Sequence, residues 1–303
     1  MNDTTTPTVI FCQPDGTAPA TDIQDWDLEI KPHEKLFNLH LKDVWQYRDL
    51  MWLFVRRDFV AQYKQTILGP LWHFIQPILT TAMFVLVFGK IAKIPTDGID
   101  AIPFYMAGIT IWNYFSTALT STSNTFVGNA GIFGKVYFPR LVLPLSVVIS
   151  NIVKLAIQLA LLALTVAYSH FFRAYSYSFH WQLLLIPLLV VQLAALGLGM
   201  GIIISSFTTK YRDFSVLLGF AIQLAMYATP IVYPLSYLQD KSYKWLIDIN
   251  PLTPVVETFR LALFGVGTVT LSSVLYSIIF TILTLLTGIV LFNKVEKTFM
   301  DTV

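Results

Sequence analysis

Six long apolar stretches constrain the fold of this 303-residue chain more than any other feature. Each is near or above the ~20 residues that an α-helix needs to cross a bilayer. We predict spans at Ile67–Ile91, Ile102–Phe126, Leu141–Phe171, Trp181–Phe207, Phe214–Leu238 and Val269–Phe292. Charged residues make up 13% of the chain, against about 25% in a typical soluble domain. The predicted fold class is an all-α membrane protein with six transmembrane helices per protomer.

A charged and aromatic segment, residues 41–66, precedes the first span, and we call it the collar. Its apolar residues follow helical spacing on two faces, Leu50, Met51, Phe54 and Val55 on one and Trp52, Phe59 and Tyr63 on the other. Arg48, Arg56 and Arg57 lie between and beside these faces. We predict an amphipathic interface helix, with rings toward acyl chains and cations toward phosphate. Residues 1–40 before it form an acidic tail, for which a solvated segment is favoured over a docking element.

Residues 67–303 form the predicted six-span domain, and an interrupted segment lies between its fifth and sixth spans. This gate segment, residues 239–265, is apolar but contains helix-breaking and polar residues. We expect one or two short re-entrant helices there, because such backbone must be sheltered by protein or by a watery cavity. An outer gate over a transport path is predicted for it, and a passive outer loop is the alternative. The predicted gate residues are Trp245, Asn250, Pro251, Pro254, Glu257 and Arg260.

Lysine and arginine are distributed unequally across the predicted spans. If the N-terminus is cytoplasmic, thirteen of the 20 basic residues lie on that side and six lie outside. Both termini are therefore predicted to be cytoplasmic. The remaining cation, Lys154, lies inside the third span, where a lone charge costs ~3 kcal/mol or more. It is expected to face the bundle interior or to snorkel to an interface, and Glu257 is a possible partner.

Two strings of the sequence resemble a known family. They are RRDFVAQYKQTILGPLW at residues 56–72 and SNTFVGNAGIFGKVYFPRLVLPLSVVIS at residues 123–150, together with YRDL at 47–50 and the IQP of the first span. They are similar to the transmembrane subunit of polysaccharide ABC exporters, the type-2 exporter permeases that move lipid-linked O-antigen or capsule-type glycans. The resemblance covers roughly residues 40–303. It implies a homodimer that pairs with two copies of a nucleotide-binding ATPase subunit in the bacterial inner membrane.

The sequence permits this division of labour, because it contains no GxxxxGK[ST] phosphate-binding loop. The glycine run Gly197–Gly201 is instead interpreted as a close-packing helix face. No catalytic residue, metal or cofactor of its own is expected for this chain, and ATP and Mg²⁺ would be bound by the partner ATPase. Its other expected partners are the lipid-linked glycan and membrane lipids, with no nucleic acid.

The loop after the second span, residues 127–140, is predicted to couple the chain to the ATPase. Ile132, Phe133 and Tyr137 follow helical spacing, and aromatic side chains of a short helix can fill a groove in a partner protein. An interfacial anchor for the bilayer is the alternative. The full predicted coupling set is Arg48, Arg56, Arg57, Ile132, Phe133, Lys135, Tyr137 and Arg140.

The transport path should combine aromatic rings, which stack on sugar faces, with polar groups that bind hydroxyls. The predicted path residues are Trp72, His73, Tyr105, Trp112, Tyr114, Phe115, Lys154 and Tyr227. In the alternative, serine and threonine bond to their own helices and the rings form interfacial belts. Because a pore for a hydrated polymer is too wide for one six-helix bundle with interrupted spans, a seam between two protomers is expected.

Three other functions are weighed against glycan export. A permease of the same family could move another lipid or amphiphile. An ion-coupled secondary transporter is disfavoured, because the six predicted spans contain no Asp or Glu. A membrane-embedded enzyme or scaffold is disfavoured as well, because the spans contain no metal-ligand set, Ser/His/Asp set or paired carboxylates.

Overall fold

The computed structural model describes residues 41–64, 66–133, 138–173, 175, 181–209, 211 and 213–299. The predicted acidic tail 1–40 and the predicted coupling residues Lys135 and Tyr137 lie outside them. The side chain of Phe133 also lies outside the description. The part of the chain that is described contains helices and connections but no strand, which confirms the all-helical fold class.

Eleven α-helices follow one another in the described residues. They are α1 (Leu41–Gln46), α2 (Arg48–Tyr63), α3 (Trp72–Phe84), α4 (Ala101–Ser123), α5 (Thr125–Phe133), α6 (Val142–Phe172), α7 (Leu185–Thr208), α8 (Asp213–Tyr227), α9 (Lys244–Asp248), α10 (Leu252–Phe264) and α11 (Leu271–Phe299). A 3-10 turn at Gly69–Leu71 and a π-helical turn at Val85–Ile91 extend α3 at its two ends. Further 3-10 turns precede α7 at Trp181–Leu184 and follow α8 at Leu235–Leu238.

Four stretches of the described residues are long and apolar enough to cross a membrane. They are Gly69–Ile91, Val142–Phe172, Trp181–Thr208 and Leu271–Phe292, which correspond to the first, third, fourth and sixth predicted spans. The second predicted span forms α4, in which a run of serines and threonines lowers the hydropathy. The fifth forms α8, which has only 15 residues. Length and composition thus support four spans, and the count of six remains a prediction.

Helix α4 lies at the centre of the bundle, in contact with α3, α6, α7 and α8. Its residues from Pro103 to Trp112 are all buried. A helix that is buried on all sides must satisfy its polar groups internally. The hydroxyls of the buried Thr110 and of the exposed Thr120, near the end of the helix, donate to carbonyl oxygens four residues earlier, at 2.8 and 2.7 Å. For these threonines, the alternative that the polar residues bond to their own helix is correct.

The glycine run of α7 packs closely against two neighbouring helices. A Cβ atom added to Gly201 would lie 2.5 Å from the Cβ of Thr122 on α4. One added to Gly199 would lie 2.9 Å from the Cα of Leu285 on α11. Neither position has room for a methyl group, so glycine is what allows these helices to approach. The structure therefore confirms the predicted close-packing face.

The collar forms α1 and α2, and α2 packs against α6. Phe54 and Val55 are buried on the face that contacts the protein, whereas Trp52 is 67% exposed. The two apolar faces of α2 therefore have different surroundings. One face packs on the bundle, and the other is available to lipid, as expected for an amphipathic helix at the edge of a bilayer.

The interrupted segment between α8 and α11 forms the short helices α9 and α10, with 5 and 13 residues. Pro251 precedes α10 and Pro254 lies in its first turn, where a missing N–H leaves no helical hydrogen bond unmade. Gly265 ends α10 in the left-handed conformation, with φ of 73°. Neither helix is long enough to cross a bilayer, in agreement with the expectation that this segment does not span.

A buried carboxylate joins the beginning of α4 to the end of α6, which are the ends predicted to face the outer side of the membrane. Asp100, directly before α4, is 3% exposed. It accepts hydrogen bonds from the hydroxyl of Ser169 at 2.6 Å and from the guanidinium of Arg173 at 2.9 Å. The negative charge of Asp100 raises the pKa of Arg173, so the guanidinium stays charged at neutral pH. This contact fixes the ends of the two helices against each other.

Candidate functional site

A polar cavity of about 200 Å³ lies between α2, α3, α4 and α6. Its lining residues are Gln62, His73, Gln76, Asn113, Tyr114, Thr117, Asn151, Lys154, Leu155 and Gln158. All of them except Leu155 carry polar side-chain atoms, although the surrounding core is apolar. Polar residues gathered in this way inside a transmembrane bundle mark a candidate binding site. Three of the predicted path residues, His73, Tyr114 and Lys154, meet here.

Helical spacing explains how these side chains converge. Residues three or four positions apart share one face of a helix. The sets that share a face are Asn151, Lys154 and Gln158 on α6, Asn113 and Thr117 on α4, and His73 and Gln76 on α3. Gln62 reaches the cavity from the last turn of α2. Four helices must therefore pack together before the site exists.

Lys154 is the cation of this cavity, and its side chain is half-buried. It makes no ion pair with any residue that the structure describes. Asp58 on α2 is near enough to act on it electrostatically, but that carboxylate accepts two hydrogen bonds from Arg57 at 2.9 and 2.7 Å. The suggested pairing with Glu257 is wrong. The Oε1 atom of Glu257 instead lies 3.2 Å from the guanidinium of Arg260, one helical turn later on α10.

Three buried polar atoms of the cavity residues have no hydrogen-bond partner among the described residues. They are Nε2 of His73, the hydroxyl oxygen of Tyr114 and Nδ2 of Asn151. Tyr114 and Asn151 are only 3% and 4% exposed. A buried polar group without a partner costs about 1–3 kcal/mol, and native structures contain few of them. Such atoms at one cavity indicate that a ligand or water supplies their partners.

The other predicted path residues do not line this cavity. Tyr105, Trp112 and Phe115 are buried in the apolar core of the bundle. Trp72 and Tyr227 lie at its surface, with 50% and 54% of their area exposed. The three buried rings therefore stabilise the protomer, and the two exposed rings are available to substrate, lipid or a second protomer.

The collar and the coupling loop form one apolar cluster, which we call the coupling unit. Its buried members are Val44, Phe54, Phe138, Val142 and Leu143, with Ile132 packed against them. The ring centroids of Phe54 and Phe138 are 5.7 Å apart. Arg57 on α2 donates a 3.1 Å hydrogen bond to Oδ1 of Asn129 on α5. Since rings and a hydrogen bond connect the two segments, a displacement of the loop would be transmitted to α2.

The predicted coupling residues occupy different positions in this unit. Arg48 and Arg56 are exposed on α2, where a partner protein could contact them. Arg57 and Ile132 are half-buried, between α2 and the loop. Arg140 is 9% exposed and belongs to the interior. Only part of the predicted set is therefore available to a partner in this conformation.

Comparison with known proteins identifies the family. Residues 49–264 match the family model described as ABC-2 type transporter. The chain belongs to the ABC-2 type transporter family. The matched region of this ABC-2 type transporter begins in α2 and ends with α10, so it contains nearly all of α2, the coupling loop and all the residues that line the polar cavity. The resemblance found in the sequence is confirmed.

Three relatives illustrate the similarity. The O-antigen export system permease protein RfbA of Myxococcus xanthus is 30% identical over 223 residues, which are 73% of this chain and 82% of that protein. An RfbA of Klebsiella pneumoniae is 28% identical over 255 residues, 84% of this chain and 94% of that protein. The capsule polysaccharide export inner-membrane protein CtrC of Neisseria meningitidis serogroup B is 20% identical over 271 residues, 86% and 97% of the two chains.

In this ABC-2 type transporter, Glu257 and Arg260 form a buried ion pair within α10. The Arg260 side chain is 2% exposed, and its guanidinium lies 4.0 Å from the ring centroid of Phe104. The pair also binds the chain on both sides of α10, with Arg260 donating to the carbonyl oxygens of Ile231 and Tyr233 and Glu257 accepting from the amides of Leu235 and Thr268. These hydrogen bonds from both members of the buried pair fix α10 to its neighbouring connections.

A second cavity, of about 550 Å³, lies beside the gate segment of the transporter. Pro254 and Glu257 of α10 line it, together with the connection that leads to α11. Trp245 on α9 is 58% exposed, whereas Asn250 donates a 2.8 Å hydrogen bond to the hydroxyl of Thr229. The predicted gate residues thus comprise an exposed ring and a packed, hydrogen-bonded group, and their role as a gate remains a prediction.

The predicted path residues include three of the ten residues that line the polar cavity. Asn151 and Gln158 carried a usable signal, because they lie three and four positions from Lys154 on one face of an apolar helix. Asn113 and Thr117 carried a weaker one, within a polar run that also bonds to its own backbone. Gln62 had no signal, because no spacing rule places the end of the collar beside the third span.

Proposed function

We propose that this chain is the membrane subunit of an ATP-driven exporter that moves lipid-linked polysaccharide, of O-antigen or capsule type, across the bacterial inner membrane. One observation carries the proposal. The chain is similar over most of its length to relatives named as O-antigen and capsule polysaccharide export proteins. Because its sequence lacks a phosphate-binding loop, ATP and Mg²⁺ are assigned to a separate ATPase subunit and this chain is assigned no catalysis.

Six spans per protomer are proposed, with both termini in the cytoplasm. The 23 residues of α4 would extend about 34 Å at 1.5 Å per residue, enough for a hydrocarbon core of about 30 Å. Two of its threonines, Thr110 and Thr120, bond to their own helix, which reduces the cost of placing them in a membrane. The fifth span would combine α8 with the chain that follows it, up to Leu238.

A homodimer with two ATPase subunits is the proposed assembly. The centre of one protomer is filled by the buried side chains of α4, and the cavity of about 200 Å³ is far too small for a hydrated polymer. This supports a passage of sufficient width between two protomers rather than within one. The exposed rings of Trp72 and Tyr227 are candidates for its lining.

Two parts of the protomer are assigned to the transport cycle. The coupling unit would receive movement from the ATPase through its loop and transmit it to α2, since rings and a hydrogen bond connect the two segments. The gate segment would close the outer end of the path. Its short helices provide an element that can move more easily than a full span.

A deletion strain tests the proposed function. Loss of this chain should remove a polysaccharide from the cell surface and cause its lipid-linked form to accumulate inside the inner membrane, and a plasmid copy should reverse both. Accumulation of a different lipid or amphiphile would mean that the chain is an exporter subunit whose cargo is not a polysaccharide. Export that stops when the ion gradient is dissipated at constant ATP would instead favour a secondary transporter.

A further inference from the structure

The polar cavity between α2, α3, α4 and α6 combines one cation with many hydrogen-bond donors. Lys154 supplies the positive charge. The donors are the amides of Gln62, Gln76, Asn113, Asn151 and Gln158, the His73 ring and the hydroxyls of Tyr114 and Thr117. No carboxylate is among the residues that line the cavity. This composition favours an anionic oxygen ligand, because hydrogen bonds to charged acceptors are about twice as strong as neutral ones.

We propose that this cavity binds the phosphoryl oxygens of a phosphate-linked lipid, the lipid-bearing end of the cargo. The inference rests on the proposed function and deepens it, since it assigns a site to one chemical part of the substrate. An intramembrane cation is costly unless it faces a partner or a ligand. Lys154 has a cavity in front of it and makes no ion pair within the described residues.

The unpartnered atoms of the cavity residues fit this ligand. Nδ2 of Asn151 can only donate, the Tyr114 hydroxyl can donate, and Nε2 of His73 donates in one tautomer. Phosphoryl oxygens accept several hydrogen bonds at once, so one group could satisfy all three atoms together with the Lys154 ammonium. A neutral sugar would use the same donors less well, because it presents its own donors as well as acceptors.

The neighbouring charges leave the cavity positive. Asp58 is the acidic group that acts on Lys154, and Arg57 binds its carboxylate at 2.7 Å. The negative charge of Asp58 is therefore compensated within α2. His73, which lies near enough to Lys154 to interact with it electrostatically, adds no negative charge. A phosphate group entering the cavity would thus meet a net positive potential.

The size and the opening of the cavity suit the end of a lipid. About 200 Å³ corresponds to roughly six or seven waters at liquid density, which is enough for a phosphate or diphosphate but not for a polymer segment. Gln62 and Gln76 are exposed, so the cavity opens between α2 and α3. Leu79 and Met83 of α3 are 59% and 56% exposed. An acyl or prenyl chain could therefore lie against α3 while its phosphate occupied the cavity.

Binding to the purified complex of this chain with its ATPase, in a phosphate-free maltoside detergent, tests the site. The probes are a polyprenyl diphosphate without sugar, the neutral polyprenol of equal length, inorganic diphosphate and the lipid-free glycan. Native mass spectrometry and a dissociation constant are measured for each. We expect the polyprenyl diphosphate to bind at least roughly tenfold more tightly than the polyprenol and inorganic diphosphate.

Substitutions of cavity residues test whether the preference for polyprenyl diphosphate arises at this cavity. Lys154→Gln should weaken polyprenyl diphosphate binding roughly tenfold or more and leave polyprenol binding unchanged. Lys154→Arg should restore most of the affinity. Lys90→Gln, which removes an exposed lysine in the π-helical turn that follows α3, should change neither. Gel filtration and the unfolding temperature show whether each variant is folded, and Asn151→Ala provides a second test if Lys154→Gln is not.

Three results would overturn the inference. They are equal polyprenyl diphosphate affinity in the wild type and Lys154→Gln, dependence of lipid-free glycan binding on Lys154, and inorganic diphosphate binding as tight as that of the lipid. The third would indicate a site for free phosphate. The deletion strain distinguishes this failure from that of the proposed function, because glycan accumulation there does not depend on where the phosphate binds.

Discussion

At the scale of single residues, the ion pair within α10 determines how firmly the gate segment is held. Arg260→Met keeps much of the side-chain volume but leaves the Glu257 carboxylate buried without its cation. Removing one member of a buried pair costs about 3–5 kcal/mol, so we expect a clear fall in the unfolding temperature of the purified protein. Adding Glu257→Gln should recover a large part of that loss, because the unpaired charge is then removed.

An exposed pair in the same gate segment provides the control. Lys244 and Asp248 lie 2.8 Å apart on α9, with side chains 35% and 44% exposed. Because solvent screens such a pair, Lys244→Ala should cost no more than about 0.5 kcal/mol. If thermal unfolding shows equal losses for Arg260→Met and Lys244→Ala, the buried pair does not hold α10 in place.

The sequence was informative for single residues where one helix sufficed. Lys154 was identified because a cation inside an apolar span is rare, whichever residues surround it. The rest of its surroundings could not be predicted, because Asp58 and His73 lie on other helices, α2 and α3. Glu257 was suggested as a possible partner of Lys154, although no sequence rule pairs the two residues. The structure pairs Glu257 with Arg260, three positions later on the same helix.

At the scale of elements, the contact between α4 and α7 depends on the glycine run. Gly201→Val would place a branched side chain where even a Cβ lies 2.5 Å from Thr122. Overpacking of this kind costs typically about 1–3 kcal/mol, so we expect a lower unfolding temperature and reduced yield. Gly219→Ala on α8 is the control, because a Cβ there meets nothing within 4 Å. Loss of stability in the control alone would contradict the described packing.

Substitutions in the two parts of the coupling unit are expected to cause two different defects. Phe54→Ala removes the ring that packs on Phe138, so ATP hydrolysis should continue while export falls. Phe133→Ala with Tyr137→Ala should instead weaken association with the ATPase, by on the order of 2 kcal/mol for each aromatic side chain removed. Co-purification of the ATPase, its hydrolysis rate and glycan export are measured together.

Trp52→Ala is the control for the coupling unit, because this ring is exposed on the opposite face of α2. With Trp52→Ala, the rate of ATP hydrolysis and the amount of glycan exported should both stay near the wild-type level. If all three changes reduce export equally with no loss of ATPase association, the assignment of the loop as the contact to the ATPase is wrong.

The helices that could be predicted were those with a clear pattern in the sequence. Long apolar runs gave the helices of four spans, and Pro251 and Pro254 marked a segment that does not span. The glycine run predicted close packing because small residues have few other uses in such a helix. The central position of α4 was not predictable, because burial on all sides is set by its neighbours and not by its own polar run.

At the scale of the whole molecule, the gate segment should close a passage between two protomers. Cysteine pairs that tie α9, near the exposed Trp245, across the dimer should block export, and reductant should restore it. Crosslinks that form in native membranes would also demonstrate the dimer. Full export with the crosslink verified as formed would reduce the segment to passive structure, and crosslinking that yields only monomers would contradict the homodimer.

ATP-dependent transport into liposomes tests the central claim most directly. The purified chain and its ATPase are reconstituted with lipid-linked polysaccharide, and the glycan that becomes protected from an added glycosidase is measured. We predict that protection rises only with ATP, Mg²⁺ and both subunits, and that a non-hydrolysable analogue abolishes it. Protection that follows an imposed ion gradient without ATP, or no protection despite verified hydrolysis and glycan binding, would contradict an ATP-driven polysaccharide exporter.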